Sequence, residues 1–409
     1  MKRLLLTFFL FFAGMFIFAQ TADMSYWESQ ITRLDATFVE RLTVLEIVRD
    51  QGHTGIGGFY HTALQALLTR LPEVTTNAER FAAQAAVRIA IQGIGSEQYS
   101  AAAPDLWAAV LAFDVASPQN DGLIMQDALT ALGQVGGSQF TTHVVHRLNS
   151  FNVQNLVDTE VRLRVQRAVV GAINALESFG DPAGFPPVFF ASIGSYELAI
   201  RNMASTALTN IVEDPGFIIA EIIRDPSNPP SVKYQAWQEL LRSNAGDESK
   251  AHAAAVALDV GWTFGTNIPV QQRDLRSMRV SAMDTIRVLG AADDSVYVNL
   301  ERSFRNNFVS PAPDYEEIRR TIVSLSSIGS ERSVDLLTGF LSELHNRRRS
   351  GPWRHKERQL FNWVIAGLGA SGTQSQRALF LLSEIEHSQD YTFAEQGWAR
   401  DALRALASN

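Results

Sequence analysis

The chain has 409 residues, a formal net charge of −8 and no cysteine. The missing thiols exclude disulfides, thiolate chemistry and cysteine-ligated metals, so the fold must be held by packing alone. A net negative charge argues against general binding to nucleic acid, itself a polyanion.

At the N-terminus, Lys2 and Arg3 precede an almost wholly apolar run from Leu4 to Phe18, followed by Ala19, Gln20 and Thr21. This is the pattern of a secretory signal peptide over residues 1–19, cleaved before Gln20, although Ile17 is bulkier than the small residue usual at that point. The competing reading is a retained membrane anchor, because the run approaches the ~20 residues that span a bilayer. No later stretch is long and apolar enough to do so. Cleavage leaves 390 residues (409 minus 19) and, with Lys2 and Arg3 gone, a formal charge of −10. The expected location is the periplasm of a double-membraned bacterium, or the outside medium.

Residues 20–59 precede the main body. Trp27, Ile31, Leu34, Phe38, Leu42, Leu45 and Val48 are spaced 4, 3, 4, 4, 3 and 3 apart, which predicts one long amphipathic helix from about Ser25 to Arg49. Its simplest role is to cap the first repeat of an array, whose end would otherwise face water; the alternative is a docking helix for another protein. The Gly-rich run from Gly52 to His61 could cradle an anion on backbone N–H groups. It lacks the Lys-Ser/Thr ending of a phosphate loop and follows a helix, so it reads as a flexible hinge.

From Tyr60 onward a period emerges. An apolar residue and glycine closing a helix-like segment recur at Ile94-Gly95, Val135-Gly136, Phe179-Gly180, Leu289-Gly290, Ile328-Gly329 and Leu368-Gly369. The intervals are 41, 44, 110, 39 and 40 residues, and the gap of 110 has room for two further units. The preceding segments carry helical periodicity, as in Met125, Leu129 and Leu132, or Leu360, Val364 and Leu368. Each glycine is expected to stop its helix in the left-handed conformation. Pro72, Pro104, Pro118, Pro182, Pro186, Pro215, Pro269, Pro311 and Pro352 fall between these segments or in their first turns. With no alternating strand pattern, the fold class is all-α, about nine helical hairpins.

The segment Gly180-Asp181-Pro182-Ala183-Gly184-Phe185-Pro186-Pro187-Val188, followed by Glu197 to Ala204 and Ala207-Leu208, resembles the bacterial HEAT-like repeat of phycobilin lyases. There a Gly-Asp-Pro turn leads into one helix and a Val-Arg-x-x-Ala type helix closes on Ala-Leu. Glu160-Val161-Arg162 through Ala175-Leu176 is a second copy of the latter helix, and Arg279 to Gly290 a weaker third. The resemblance covers most of residues 60–409, is strong in two or three units, and lacks the Asp-Pro turn in several. It implies a right-handed α-α superhelix, a HEAT-like solenoid in which each unit buries its face only against its neighbours. It implies a shape and not an activity.

Few residues suggest chemistry. His143 and His146 are three apart on one predicted helix, but no third ligand follows at a recognisable interval, so no metal is expected. Phe189, Phe190, Trp237, Trp262, Phe264, Phe361 and Trp363 lie mostly on periodic apolar faces and read as core. The long turn from Trp262 to Gln271 is where an exposed apolar patch is expected. Asp293-Asp294 and Glu316-Glu317 read as helix starts, where the dipole favours acids.

The most unusual segment is Arg347-Arg348-Arg349-Ser350-Gly351-Pro352-Trp353-Arg354-His355-Lys356-Glu357-Arg358, with six formal positive charges in twelve residues. It is expected in the turn between two helices. Arg347, Arg348, Arg349, Trp353, Arg354, Lys356 and Arg358 form the candidate binding set, with forked guanidiniums beside an exposed Trp suited to a carboxylate, a phosphate or an acidic partner surface. The bland reading is a solvated turn whose arginines offset local acids. These features together point to a non-catalytic protein–protein interaction scaffold of the cell envelope, needing no cofactor and binding no nucleic acid. The alternative is an enzyme or small-ligand-binding protein, lyase-like by the resemblance, with a site not recognisable from sequence.

Overall fold

The computed structural model describes residues 24–154, 157–290, 293–354 and 356–408. The predicted signal peptide and His355 lie outside the described residues. Among the described residues the regular structure is entirely helical, with no β-strand, and no helix is long and apolar enough to cross a membrane. The chain divides into two compact units, one up to Glu213 and one from Asp214.

The first unit contains α1 (residues 24–32), α2 (Phe38–Asp50), α3 (Gly57–Arg70), α4 (Asn77–Ser96), α5 (Ala103–Ala112), α6 (Leu123–Gln134), α7 (Thr141–Asn152), α8 (Thr159–Phe179), α9 (Phe185–Ile193) and α10 (Leu198–Ile211). From α2 onward each packs on the next helix or the next but one: α3 and α6 on α4, α5 and α8 on α6, α7 and α10 on α8. Small residues permit this. Ala82, Ala83, Ala86 and Ala90 are buried along α4, where bulkier side chains would hold α2, α3 and α6 apart.

The single N-terminal helix expected from about Ser25 to Arg49 is instead two. The backbone turns at residues 33–37, and Thr37 then opens α2 with a capping box, its hydroxyl accepting from the Glu40 N–H while Glu40 accepts from the Thr37 N–H at 2.7 Å. Ile31, Phe38, Leu45 and Val48 are still buried, but Leu34 falls in the turn and is 86% exposed. Apolar spacing carried across the break because two short helices can serve one continuous core; the Thr-x-x-Glu pattern was the overlooked stop.

The second unit contains α11 (Gly216–Arg224), α12 (Pro230–Arg242), α13 (Asp247–Thr263), α14 (Pro269–Leu289), α15 (Asp294–Val309), α16 (Tyr315–Ile328), α17 (Glu331–Arg349), α18 (Glu357–Ala370), α19 (Gln376–His387) and α20 (Phe393–Ala407). The packing rule is the same: α14 on α13 and α16, α16 on α15 and α18, α18 on α17 and α20. Lys233 is fully buried, and its Nζ donates to the carbonyls of Ile223 (2.6 Å) and Asp225 (2.5 Å), so a cation closes the C-terminus of α11.

Four of the six predicted glycine stops behave as expected: Gly136, Gly180, Gly290 and Gly329 take positive φ just beyond α6, α8, α14 and α16. Gly95 and Gly369 do not; both lie inside a helix, one residue from its end. Their role is close approach. A Cβ on Gly369 would stand 3.0 Å from the Ala402 backbone, so glycine lets α20 settle against α18.

Ion pairs link successive helices of like position. Arg276–Asp314, Arg279–Glu317, Arg305–Glu343 and Arg332–Asp294 are each separated by 38 residues, and in the first unit Arg88–Asp127 by 39. The deepest is Arg279–Glu317. Glu317 is 1% exposed and takes both prongs of the guanidinium at 2.7 and 3.0 Å. It also accepts from Ser303 Oγ at 3.0 Å, while Arg279 donates to the Gly261 carbonyl and covers the Trp262 ring at 4.0 Å. Expected from the sequence only as a helix-starting acid, Glu317 is the centre of a buried polar network. Glu317→Ala strands a buried guanidinium and should cost about 3–5 kcal/mol in urea unfolding of the full chain, whereas Arg279→Met with Glu317→Leu should recover most of that loss.

Candidate binding cleft

The basic segment is not a free turn. Arg347, Arg348 and Arg349 are the last residues of α17, where cations meet the negative end of the helix dipole. The chain then turns at residues 350–352, and Lys356 stands at φ 60° immediately before α18. What fixes the turn is Glu357, a buried carboxylate at the start of α18. One oxygen accepts from Arg347 Nη1 at 2.5 Å and the other from the Arg354 backbone N–H at 2.7 Å.

The remaining members of the candidate set divide sharply. Arg347 is spent on Glu357 and also lies over the Phe308 ring at 4.7 Å. Arg348 folds back over Trp353 (5.8 Å) and donates to the Gly351 carbonyl (3.3 Å), with its Nε buried and unpartnered. Arg349 sits 3.5 Å from Glu384. Trp353, expected to be exposed, is half-buried: its Nε1 donates to Glu395 at 2.8 Å and its ring packs on Phe361 and Tyr391. It is drawn in because α20 brings a buried carboxylate to the one polar atom of the indole. Arg358 Nε donates to the same Glu395 oxygen at 2.8 Å and covers Trp398 at 5.3 Å. Arg354 and Lys356 are different. Both are exposed and neither has an acidic partner among the described residues; the Lys356 ammonium rides 4.9 Å above the Tyr315 ring.

Arg354 lines a cleft of about 330 Å³, and Lys356 borders it through the Tyr315 ring, which also lines it. The loop from Ser310 to Asp314 forms one wall, with Pro311 and Pro313 contributing no N–H donor; Phe308, Tyr315, Ile318 and Leu360 supply apolar and aromatic surface, and Arg347, Arg354 and Glu357 the polar edge. Asp314 anchors the loop by capping α16 through the Glu317 N–H (3.1 Å) and by pairing with Arg276 (3.0 Å). Its carboxyl sits below the usual range: burial opposes this, but the hydrogen bonds from Arg276 and the α16 backbone outweigh it. The apolar half of this site was invisible in the sequence; the Pro-x-Pro at 311–313 was its only trace.

Elsewhere the expectations resolve as structure. The Gly-rich segment, expected as a hinge, does receive an anion, but an internal one: the Gly55 N–H donates to Glu97 Oε2 at 2.6 Å. His143 and His146 both lie on α7 and are exposed; His143 packs on Trp107 and Phe140, and no group of three or more potential metal ligands occurs among the described residues. Beyond α13 the turn ends at Ile268, earlier than expected, and Ile268 and Val270 are exposed there as a small apolar patch. A second pocket of about 230 Å³, in the first unit, has polar lining residues that are already engaged: Gln84 with the Gln119 carbonyl, Asn120 with the Asp114 carbonyl, and Asp114 with Arg147 outside the lining.

No protein-family model matches the sequence, and no curated protein is significantly similar to it.

Glu395 gives the site a pH dependence. Burial alone would raise its carboxyl, but hydrogen bonds from the Thr392 backbone, Trp353 and Arg358 outweigh that and hold it below the usual 4.5. A depressed folded value means that its contribution is complete above pH 4.5 and fades as pH falls through the lower folded value. Glu395→Gln should therefore lower stability at pH 7 by about 1.5–3 kcal/mol, the worth of hydrogen bonds to a charged group. The gap between wild type and variant should narrow below pH 4.5, as read by thermal unfolding across pH.

Proposed function

We propose that this protein is a non-catalytic interaction scaffold of the cell envelope. It is exported by its N-terminal signal, is folded as a HEAT-like right-handed superhelix of about nine hairpins, and engages a protein partner at the turn between α17 and α18. Helices that pack only on near neighbours, and ion pairs repeating at 38 and 39 residues, support the repeat reading. Arrays of that kind expose long surfaces and work by binding. The observation that carries the functional reading is the pair Arg354 and Lys356, exposed and without acidic partners among the described residues, Arg354 on the edge of a largely apolar cleft and Lys356 over the Tyr315 ring that lines it, on a chain of net charge −8.

The small-ligand or enzyme reading draws its support from the same cleft. At about 330 Å³ it lies at the bottom of the range for drug-sized ligands. Its one carboxylate, Glu357, is bound to Arg347 and to the Arg354 backbone, which favours a structural duty over acid–base work.

A photo-crosslinking residue placed at Ser310, on the cleft edge, should yield one discrete protein adduct in intact cells. The same residue at Val153, 84% exposed in the first unit, should not, and Arg354→Glu with Lys356→Glu should abolish the Ser310 adduct. If Ser310 gives no adduct, or one indifferent to the charge reversal, this surface is not the contact. For export, Edman sequencing of the exported protein should begin at Gln20; a Met1 start in the membrane fraction would replace cleavage with a retained anchor.

A further inference from the structure

The cleft also constrains what can occupy it. We infer that its occupant is an acidic peptide segment in which a bulky apolar or aromatic side chain is flanked by carboxylates: the side chain enters the cleft and the carboxylates meet Arg354 and Lys356. This rests on the scaffold reading and deepens it.

The first argument is charge balance around the cleft. Asp314 is held by Arg276, Glu316 by Arg320, Glu343 by Arg305, Glu357 by Arg347, Glu384 by Arg349, and Glu395 by Arg358. Each of these acids thus has its cation; of the cations of residues 347–358 with no acidic partner among the described residues, Arg348 is folded back over Trp353, which leaves Arg354 and Lys356 as the exposed ones. An exposed guanidinium presents a fork matched to a carboxylate, and the ammonium adds a second cation.

The second argument is the character of the floor. Pro311 and Pro313 have no N–H, the N–H groups of Ser310, Ala312 and Asp314 are taken by Asn307 and Ser310, and Phe308, Ile318 and Leu360 offer nothing to hydrogen-bond. A charged group pushed into the cleft would lose water without replacement, so the carboxylates belong at the rim and an apolar group below. The third is size. About 330 Å³ takes one large side chain with its flanking backbone, and no folded surface can enter it. A flat anionic membrane is disfavoured for the same reason, and also because the protein as a whole is negatively charged.

The test uses the full chain and fluorescent peptides followed by anisotropy. The probes are acetyl-Glu-Glu-Phe-Glu-Glu-amide, the same peptide with Ala for Phe, and acetyl-Lys-Lys-Phe-Lys-Lys-amide, with phosphatidylglycerol vesicles as a fourth arm. The acidic Phe peptide should bind at least about tenfold more tightly than either control peptide, a difference of about 1.4 kcal/mol. Arg354→Glu with Lys356→Glu, both at exposed positions, should remove that preference. Ser310→Trp, which fills the cleft from its edge, should weaken the Phe peptide and leave the Ala peptide unchanged. Equal binding of the Phe and Ala acidic peptides overturns the inference, because charge alone would then suffice. So does charge-dependent vesicle binding without peptide binding. If no peptide binds while the Ser310 adduct persists in cells, the ligand class is wrong and the scaffold reading stands; if the adduct is missing as well, both fall.

Discussion

In the second unit, four consecutive helices meet at one buried ion pair. Arg279 comes from α14 and Glu317 from α16, while α13 supplies the Gly261 carbonyl and the Trp262 ring, and α15 supplies the Ser303 hydroxyl. A helix that packs on two or three neighbours cannot hide every side chain at their junction behind apolar atoms. A long arginine can cross such a junction with its stem against aromatic surface and its head on a carboxylate. The pair contributes little net stability compared with an apolar replacement, but once built in, neither half can be left alone. Its main effect is register: the bidentate geometry fixes where α14 stands along α16.

The construction returns at the end of the unit with a variation. Glu395 is the third residue of α20, as Glu317 is of α16, and it too accepts from an arginine of the preceding helix of like position, Arg358 on α18. The step between, from α16 to α18, departs from the rule. There the buried acid is Glu357, at the first position of its helix, and its arginine, Arg347, comes from α17. Pulling Arg347 inward lays it over Phe308, while the Arg354 N–H is taken by the same carboxylate. The consequence is an apolar hollow between the 310–314 loop and α18, with the Arg354 and Lys356 side chains left outside. The candidate site is the place where a repeated packing device is broken.

This explains what could be read from the sequence and what could not. The all-helical class followed from Met125, Leu129 and Leu132 and their counterparts, because apolar spacing is a property of one helix. Gly180, Gly290 and Gly329 were legible for the same reason: a left-handed stop is local. Gly95 and Gly369 were misread because their glycines answer to a neighbouring helix, Gly369 to Ala402 of α20. The basic segment was conspicuous as composition. Which of its cations were already engaged depended on Glu357, Glu384 and Glu395, and the last two lie 26 or more residues beyond the segment's end or within other helices. Trp353, the residue that looked most like an exposed anchor, turned inward for a carboxylate 42 residues away.

The charge of the whole chain then shapes how such a site would work. A net charge of −8 repels an acidic partner at long range, while Arg354 and Lys356 attract it only within the screening length, about 8 Å at physiological ionic strength. Approach is therefore not steered, and association on the proposed reading proceeds at the ordinary rate of an unassisted encounter. Selectivity falls to the cleft. A partner that carries acid alone meets repulsion at a distance and gains only exposed, solvated ion pairs, each worth little. One that also offers an apolar side chain removes the hollow's surface from water, and burying a Phe- or Leu-sized group is worth about 1.5–3 kcal/mol. On the proposed reading, long-range repulsion and short-range cations would act as two filters in series, and the proline-walled hollow would make the difference between a transient contact and a retained one.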